Sequence, residues 1–519
     1  MSTGKSLLKS TGIISSGNLC SRILGLIRDV VIARVFGVYI YAQAFVIAFK
    51  IPNLLRNLVG EGATNAAFIP VFSEYAAKRS KEDFWELAGV LLNLLLVVLA
   101  GITLLGVILA PVIVRVIAPG FIQDPLKLET TIRLTRIIFP YIILISLCAY
   151  GVAILNSLKH FTVPAFAPCL LNISMIVFVL LFNKGITGLA LGVLVGGVLQ
   201  LLVQLPVLRR KGFRLKISSR FRHPAVNEIK KLMLPRIFSY GIYQINNLVD
   251  SIFGSLAWIV GTGGVAVLYF AYRIIQFPIG VFSNALAQAV LPDLSRQAQD
   301  EDRQKLKDTL SFSLRSVFLV LLPSSIGLMT LAGPIISGLF QGGRFDAYST
   351  QATASALFFY SVGLWAYGGK KIIHSCFFAM KDTATPARVS FLALLMNVAL
   401  NLVLMFPLKI SGLALATSIS GIISFLILLH ILNNRLKALD LASMVSSFAR
   451  ILLASLCMGA VCYFFSRRFF VLADTIPQRI INLASLVLLG VASYIVFCFI
   501  FKIREMQELW KWLAEKKRA

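Results

Sequence analysis

The chain has 519 residues, 58% of them hydrophobic and only 14% charged, well under the ~25% charged residues of a soluble domain. That composition excludes a soluble globular enzyme and predicts an all-α polytopic membrane protein. Fifty Lys and Arg against 22 Asp and Glu give a formal charge of +28, but the basic residues fall between apolar runs, so the surplus reads as loop topology and not as a nucleic-acid surface.

Taken in order, the apolar runs predict fourteen spans, at 11–37, 40–60, 86–116, 131–157, 163–183, 186–208, 233–257, 264–290, 310–340, 348–379, 387–407, 410–432, 446–466 and 480–501. The first follows Lys5 and Lys9 with no small-residue cleavage site behind it, so it is expected to stay in the mature chain. The first, second, seventh and eighth are the least hydrophobic. They carry Arg22, Arg28, Asp29, Arg34, Lys50, Arg56 and Glu61, then Arg236, Asp250 and Arg273. A charge near the bilayer centre costs about 3 kcal/mol on insertion scales, so such residues face one another, a wet cavity or a charged ligand. Cations dominate, so the ligand is expected to be anionic. Arg34 lies near the outer end of its span and is in position to snorkel.

With the N-terminus placed in the cytoplasm, the segments on that side hold thirty Lys and Arg and the opposite segments seven. Both termini are therefore expected inside, and the run from Arg209 to Lys231 is the central cytoplasmic loop, lying against anionic lipid. Landmarks recur at offsets between 221 and 224. I-T-G-L-A-L at 186–191 returns as I-S-G-L-A-L at 410–415. Pro70 returns as Pro292, Pro111 as Pro334, Lys159 as Lys381, Pro164 as Pro386 and Asp29 as Asp250. The expected organisation is a six-helix bundle over 1–208, the basic loop 209–232, a second six-helix bundle over 233–432, and two further helices with a basic tail over 433–519. An even number of spans per half makes the repeat parallel, with its pseudo-two-fold along the membrane normal, an architecture of transporters that alternate around a midplane site.

Chemistry is notable for what is missing. No P-loop, H-E-x-x-H or G-x-S-x-G occurs, so the reading is not an enzyme and assigns no catalytic residue or cofactor. The seven cysteines all sit in apolar segments without metal-ligand spacing and read as small buried hydrophobes. Of the four histidines only His374 lies deep in a span, where it reads as a satisfied interior polar group.

Several stretches resemble the MurJ (MviN) family of the multidrug/oligosaccharidyl-lipid/polysaccharide exporter superfamily. They are S-R-I-L-G-L-I-R-D at 21–29, A-F-K-I-P-N-L-L-R at 48–56, G-E-G-A at 60–63, A-F-I-P-V-F-S-E-Y at 67–75, F-P-Y-I-I-L-I-S-L at 139–147, V-P-A-F-A-P-C-L-L-N-I-S-M at 163–175, G-G-V-L-Q at 196–200, Y-R-I-I-Q-F-P-I-G-V at 272–281 and L-P-D-L-S at 291–295. The resemblance implies a fourteen-helix flippase of the bacterial inner membrane, acting as a monomer in the lipid bilayer. By alternating access it would carry lipid II (undecaprenyl-diphosphate-linked disaccharide pentapeptide) from the cytoplasmic to the periplasmic leaflet. Arg28, Asp29, Arg56 and Arg273 fall on the family's cavity positions, Arg22 on its serine-arginine motif, and Lys371 on the span expected to face the cavity with Lys370 beside it. Guanidinium forks suit a diphosphate, which accepts their paired hydrogen bonds. Gln43 and Gln276 stand where family members often carry acids.

Asn397 and Asn401, one helical turn apart, share a face, and with Asp250 and Thr417 they form a candidate oxygen cage for Na+ as coupling ion. Family members with a sodium site use this pattern, one with an aspartate where this chain has Asn401. The last two spans are implied to form a groove for the polyprenyl tail. Alternatives are a flippase for another undecaprenyl-diphosphate saccharide, of O-antigen type, and a membrane glycosyltransferase. The latter would want paired interior acids, which the cationic spans lack.

Overall fold

The structure, a computed structural model, describes residues 3–55, 64–182, 185–213, 223–229, 231, 248–300, 303–437, 439–469, 475–508 and 510. These form α-helices joined by short turns, with no sheet among the described residues. They make two compact units, Met1–Ala257 and Trp258–Ala519. Ten helices or runs of helix among them are long and apolar enough to cross a membrane, as an all-α polytopic membrane protein requires.

In the first unit the main helices are α1 (Thr3–Phe36), α2 (Ile40–Leu55), α3 (Thr64–Lys78), α4 (Lys81–Ile117), α5 (Pro125–Ile138), α6 (Tyr141–Ser157), α7 (Thr162–Leu181) and α8 (Ile186–Leu202). Ser80 opens α4 by accepting from Asp83 N (3.1 Å), and Asp124 opens α5 by accepting from Lys127 N (3.1 Å). The α3 helix was not among the expected spans. Its Phe68, Val71 and Phe72 recur at helical spacing and bury against Phe84, Leu87 and Tyr150, while the Tyr150 hydroxyl donates to Ala88 O (2.6 Å).

The second unit holds α9 (Gly264–Pro278), α10 (Asn284–Gln297), α11 (Gln304–Thr330), α12 (Ala332–Leu339), α13 (Ala347–Val362), α14 (Leu364–Ala379), α15 (Ala384–Leu408), α16 (Ile410–Arg435), α17 (Leu441–Phe469) and α18 (Ile476–Ile500). Between α9 and α10 the chain widens into a π-turn, Ile279–Ser283, directly after Pro278, whose ring cannot supply the ladder N–H.

One repeated landmark has the same local structure in each unit. Lys159 and Lys381 are left-handed, at φ 57° and 60°. Around the first, Lys159 N bonds Asn156 O (3.0 Å) and His160 N bonds Leu155 O (2.8 Å); around the second, Lys381 N bonds Phe378 O (3.0 Å) and Asp382 N bonds Phe377 O (2.9 Å). Both are helix C-caps of the Schellman type. Lysine replaces the usual glycine, at about 1–2 kcal/mol of strain, partly offset by its charge at the negative helix end.

After Lys381 the turn is pinned. Asp382 accepts from Thr385 N (2.9 Å) and the Thr385 hydroxyl (2.6 Å) and pairs with Arg435, whose guanidinium also lies 5.5 Å from the Phe377 ring centre. Partial burial pushes the Asp382 carboxyl up, but the Thr385 and Arg435 contacts outweigh it and hold it at about 2, against an ordinary 3.8. The folded value is depressed, so the stabilisation is complete above pH 3.8 and is lost as pH falls through about 2. Melting temperature in detergent should show this as a fall between those pH values that Asp382→Asn flattens. An identical pH profile for parent and variant would refute it.

Candidate functional site

The sequence-expected cations lie on different elements, and α1 supplies the best-defined group. Arg28 and Asp29 are adjacent on α1, and both are buried, Asp29 completely. Adjacent helical positions diverge by about 100°. The pair closes because the long arginine turns back: Nε and Nη2 both donate to Asp29 Oδ1, at 3.0 and 2.7 Å. The third contact comes from α7, where Asn172 Oδ1 accepts from Arg28 Nη1 at 3.0 Å and Met175 Sδ lies 3.9 Å from the same nitrogen.

Asn172 is itself held. Its Nδ2 donates to Ser21 O (3.2 Å), one helical segment before Arg28, and to Pro168 O (3.4 Å). The two helices can approach this closely because Gly17 has no side chain. A Cβ there would lie 2.5 Å from Ala165 O and 2.7 Å from Ala165 C. Gly17 meets Ala165 and Arg28 meets Met175, so α1 and α7 run parallel, with the asparagine fixing both the α1 backbone and the guanidinium plane.

The other expected residues are distributed. Arg22 is half-buried on α1. Lys50, on α2, donates to Ser251 Oγ and lies close enough to Asp250 for the carboxylate to act on its charge. Arg56 lies outside the described residues, as do Glu61 and Arg236. Arg273 is half-buried on α9 and Lys371 half-buried on α14, both in the second unit. His374, one turn after Lys370, has its Nε2 buried with no hydrogen-bond partner among the described residues.

The candidate cation cage is partly assembled. Asn401 Nδ2 donates to Asn397 Oδ1 (3.1 Å), Asn397 Nδ2 to Thr417 Oγ1 (3.1 Å), and Thr417 Oγ1 to Leu413 O (3.0 Å). The chain of donors leaves one oxygen over: Asn401 Oδ1 is buried and accepts no hydrogen bond from the described residues. A buried carbonyl oxygen with no donor suits a hard cation. Asp250 belongs to the first unit and the asparagines to the second.

Sequence reasoning missed Asn172 and Ser251. Asn172 left a signal, a lone amide in the apolar run of α7; Ser251 left none, being an ordinary helix-interior residue whose partner, Lys50, is far off in sequence.

Comparison with known proteins bears on all of this. The family model described as "Lipid II flippase MurJ" matches residues 32–503. A protein named "Probable lipid II flippase MurJ" from Vibrio cholerae serotype O1 is 34% identical over 516 residues, covering 97% of this chain and 98% of the relative. One of the same name from Buchnera aphidicola subsp. Acyrthosiphon pisum is 36% identical over 433 residues, 83% of this chain and 84% of the relative. A solved "Lipid II flippase MurJ, inward closed conformation" superposes with a TM-score of 0.78 at 28% identity, over 94% of this chain and 98% of that one. An inward-facing multidrug resistance MATE family transporter of the MOP superfamily superposes at 0.70 and 18% identity, covering 81% of this chain and 95% of that one, a likeness of fold alone. By a family model spanning almost its whole length and by relatives above 30% identity, this chain belongs to the MurJ family.

Proposed function

We propose that the chain flips lipid II from the cytoplasmic to the periplasmic leaflet of a bacterial inner membrane by alternating access, as a monomer with both termini in the cytoplasm. Family membership over residues 32–503 is the observation that carries the reading. The chemistry supports it. Arg22, Arg28, Arg56, Arg273 and Lys371 are the cations assigned to the diphosphate. Arg28 arrives with its plane already set by Asp29 and Asn172, at 2.7–3.0 Å, so little rotamer freedom remains to be lost when an anion takes over part of its fork. Asp29 keeps the empty state neutral locally, and the diphosphate competes with it for the guanidinium. The polyprenyl tail is assigned to α17 and α18, whose Leu453, Phe464, Ile481 and Leu488 are exposed.

The test is complementation of a flippase-depleted, wall-synthesising bacterium. Growth rescue with lipid II returning to its normal level supports the reading. Rescue of O-antigen display alone assigns another undecaprenyl-diphosphate saccharide instead, and loss of the lipid-linked precursor itself points to a transferase.

Sodium is the proposed coupling ion, carried here by the orphaned Asn401 Oδ1. Asn401→Leu is expected to slow flipping at low Na+ severalfold and to leave the rate at saturating Na+ closer to the parent. A rate independent of Na+ in the parent would remove the proposal.

A further inference from the structure

Between α12 and α13, in the second unit, the chain makes a two-residue hairpin. Gly342 N donates to Phe345 O and Phe345 N to Gly342 O, both at 3.1 Å. The tight turn uses Gly343 at φ 59°. Its foot is fixed. Phe345 is fully buried, with the ring centres of Phe340 and Phe270 at 5.8 and 6.0 Å. Asp346 caps α13 by accepting from Ser349 N at 2.8 Å, and from α18 the Arg479 Nη1 donates to Gln341 O at 2.8 Å. Arg344, at the tip, is exposed and meets no hydrogen-bond or ion-pair partner among the described residues.

Helix lengths give the height of this tip. With both termini inside, α15 runs outward for 25 residues, about 37 Å, enough to cross the ~30 Å hydrocarbon, so its turn into α16 lies at the outer surface. Ser411, at the start of α16, meets Ser355 of α13 at 2.7 Å. α13 therefore begins about 12 Å further out than α16 and carries the hairpin above the lipid phosphates. α17 and α18 pack antiparallel, with Cys462 Sγ 2.9 Å from where a Cβ on Gly490 would lie. That register sets Arg467 and Arg468, in the last turn of α17, about 9 Å nearer the membrane than Arg479, at the level of the phosphates. Both are exposed, Arg467 with its guanidinium 4.9 Å from the Tyr463 ring centre.

Of the seven Lys and Arg in the outward segments, the four arginines are Arg344, Arg467, Arg468 and Arg479; the other three are lysines elsewhere. Topology disfavours cations on this side, so their gathering at one helix end calls for an anion. Asp346, the nearest described acid in sequence, is engaged as the α13 cap; Asp474 lies outside the described residues.

We propose that the outer end of α17 and α18 is an exit site for the flipped cargo. Arg467 and Arg468 take its diphosphate at the bilayer surface, while Arg344 takes the terminal carboxylate of its peptide above. The inference rests on the lipid II reading and its orientation. The polyprenyl tail assigned to these two helices would bring the diphosphate to this end, since Phe464 of that apolar face is one turn from Arg468. Guanidinium forks suit both anions, and the bolted hairpin holds Arg344 out without a loop to order on binding.

The experiment uses the full chain in phosphatidylcholine nanodiscs, with Arg28→Met and Asp29→Leu as background so that the interior site does not dominate. Two probes are titrated: farnesyl diphosphate, and a farnesyl-linked lipid II that adds the disaccharide pentapeptide. Arg467→Gln with Arg468→Gln is expected to weaken both probes about tenfold, the factor one lost charged hydrogen bond represents. Arg344→Gln should weaken the peptide-bearing probe alone, by a similar factor. If the background does not fold, the same arginine variants in the parent are read as loss of the weaker of two binding phases. Unchanged affinity for farnesyl diphosphate in the Arg467→Gln, Arg468→Gln variant overturns the exit site. So does displacement of both probes by phosphatidylglycerol at about a third of the nanodisc lipid, which makes the patch a general headgroup site. If complementation reassigns the cargo to another diphosphate-linked saccharide, the farnesyl diphosphate result stands and only the Arg344 arm fails, so the two readings fail separately.

Discussion

Arg28→Lys is expected to fail in complementation at parent membrane levels, with flipping reduced roughly 10–100-fold, the equivalent of one or two charged hydrogen bonds. Lysine keeps the charge but offers a single ammonium on a flexible stem. It cannot span Asp29 Oδ1 through two nitrogens and Asn172 Oδ1 through a third, as Arg28 does at 3.0, 2.7 and 3.0 Å. Arg28→Ala goes further, leaving a completely buried Asp29 without its ion-pair partner, which costs about 3–5 kcal/mol when one side of a buried pair is removed.

Lost function in Arg28→Ala alone would therefore not separate binding from folding. The pair Arg28→Met with Asp29→Leu does, because removing both charges together is often near neutral for stability. The double variant should melt within a few degrees of the parent and still fail to flip. If it complements at normal membrane levels, neither charge is needed for flipping and the diphosphate sits elsewhere.

The same pair shows what sequence does and does not disclose. That Arg28 and Asp29 face the interior was legible, because two charges within an apolar run have no cheap alternative to an interior partner. That the partner on the other helix is Asn172 was not, since nothing in a single chain's periodicity says which residue of α7 faces α1. The expected convergence of Arg28, Arg56 and Arg273 is a separate matter: Arg28 is matched by Asp29 within its own unit, Arg273 lies in the second unit, and Arg56 is outside the described residues.

Elsewhere the limits were of the same kind. The spacing of Asn397 and Asn401 placed them on one face, and the structure joins them to Thr417 through a 3.1 Å bond. Helix α3 was missed because the charges at Lys78, Arg79 and Lys81 cut its apolar run short of a span, although Phe68, Val71 and Phe72 already carried helical spacing. The Lys159 and Lys381 repeat was visible as letters, but their left-handed caps were not, because lysine is not the residue that conformation usually selects.

Gly17→Leu is expected to be nearly as damaging as loss of Arg28, although Gly17 carries no chemistry. Helices in a membrane gain little from burying apolar surface against each other and rely on close packing, so small residues at their contacts set the separation. At Gly17 the added Cβ would meet backbone, 2.5 Å from Ala165 O and 2.7 Å from Ala165 C, which cannot rotate away as a side chain would. The alanine variant should already cost about 1–3 kcal/mol in overpacking, and leucine more. The only relief is for α1 to lift from α7. That movement lengthens the 3.2 Å bond from Asn172 to Ser21 O and the 3.0 Å bond from Arg28 to Asn172, so the guanidinium loses the plane that those bonds set. Gly12 is the control on the same helix, since a Cβ there meets nothing within 4 Å. Gly12→Ala should be neutral or stabilise by about 0.5–1 kcal/mol through lower backbone entropy. Melting curves in detergent and complementation at matched membrane levels should rank parent and Gly12→Ala together, Gly17→Ala below them, and Gly17→Leu last. Parent-like growth of Gly17→Leu would show that the flush contact between α1 and α7 is dispensable for placing Arg28.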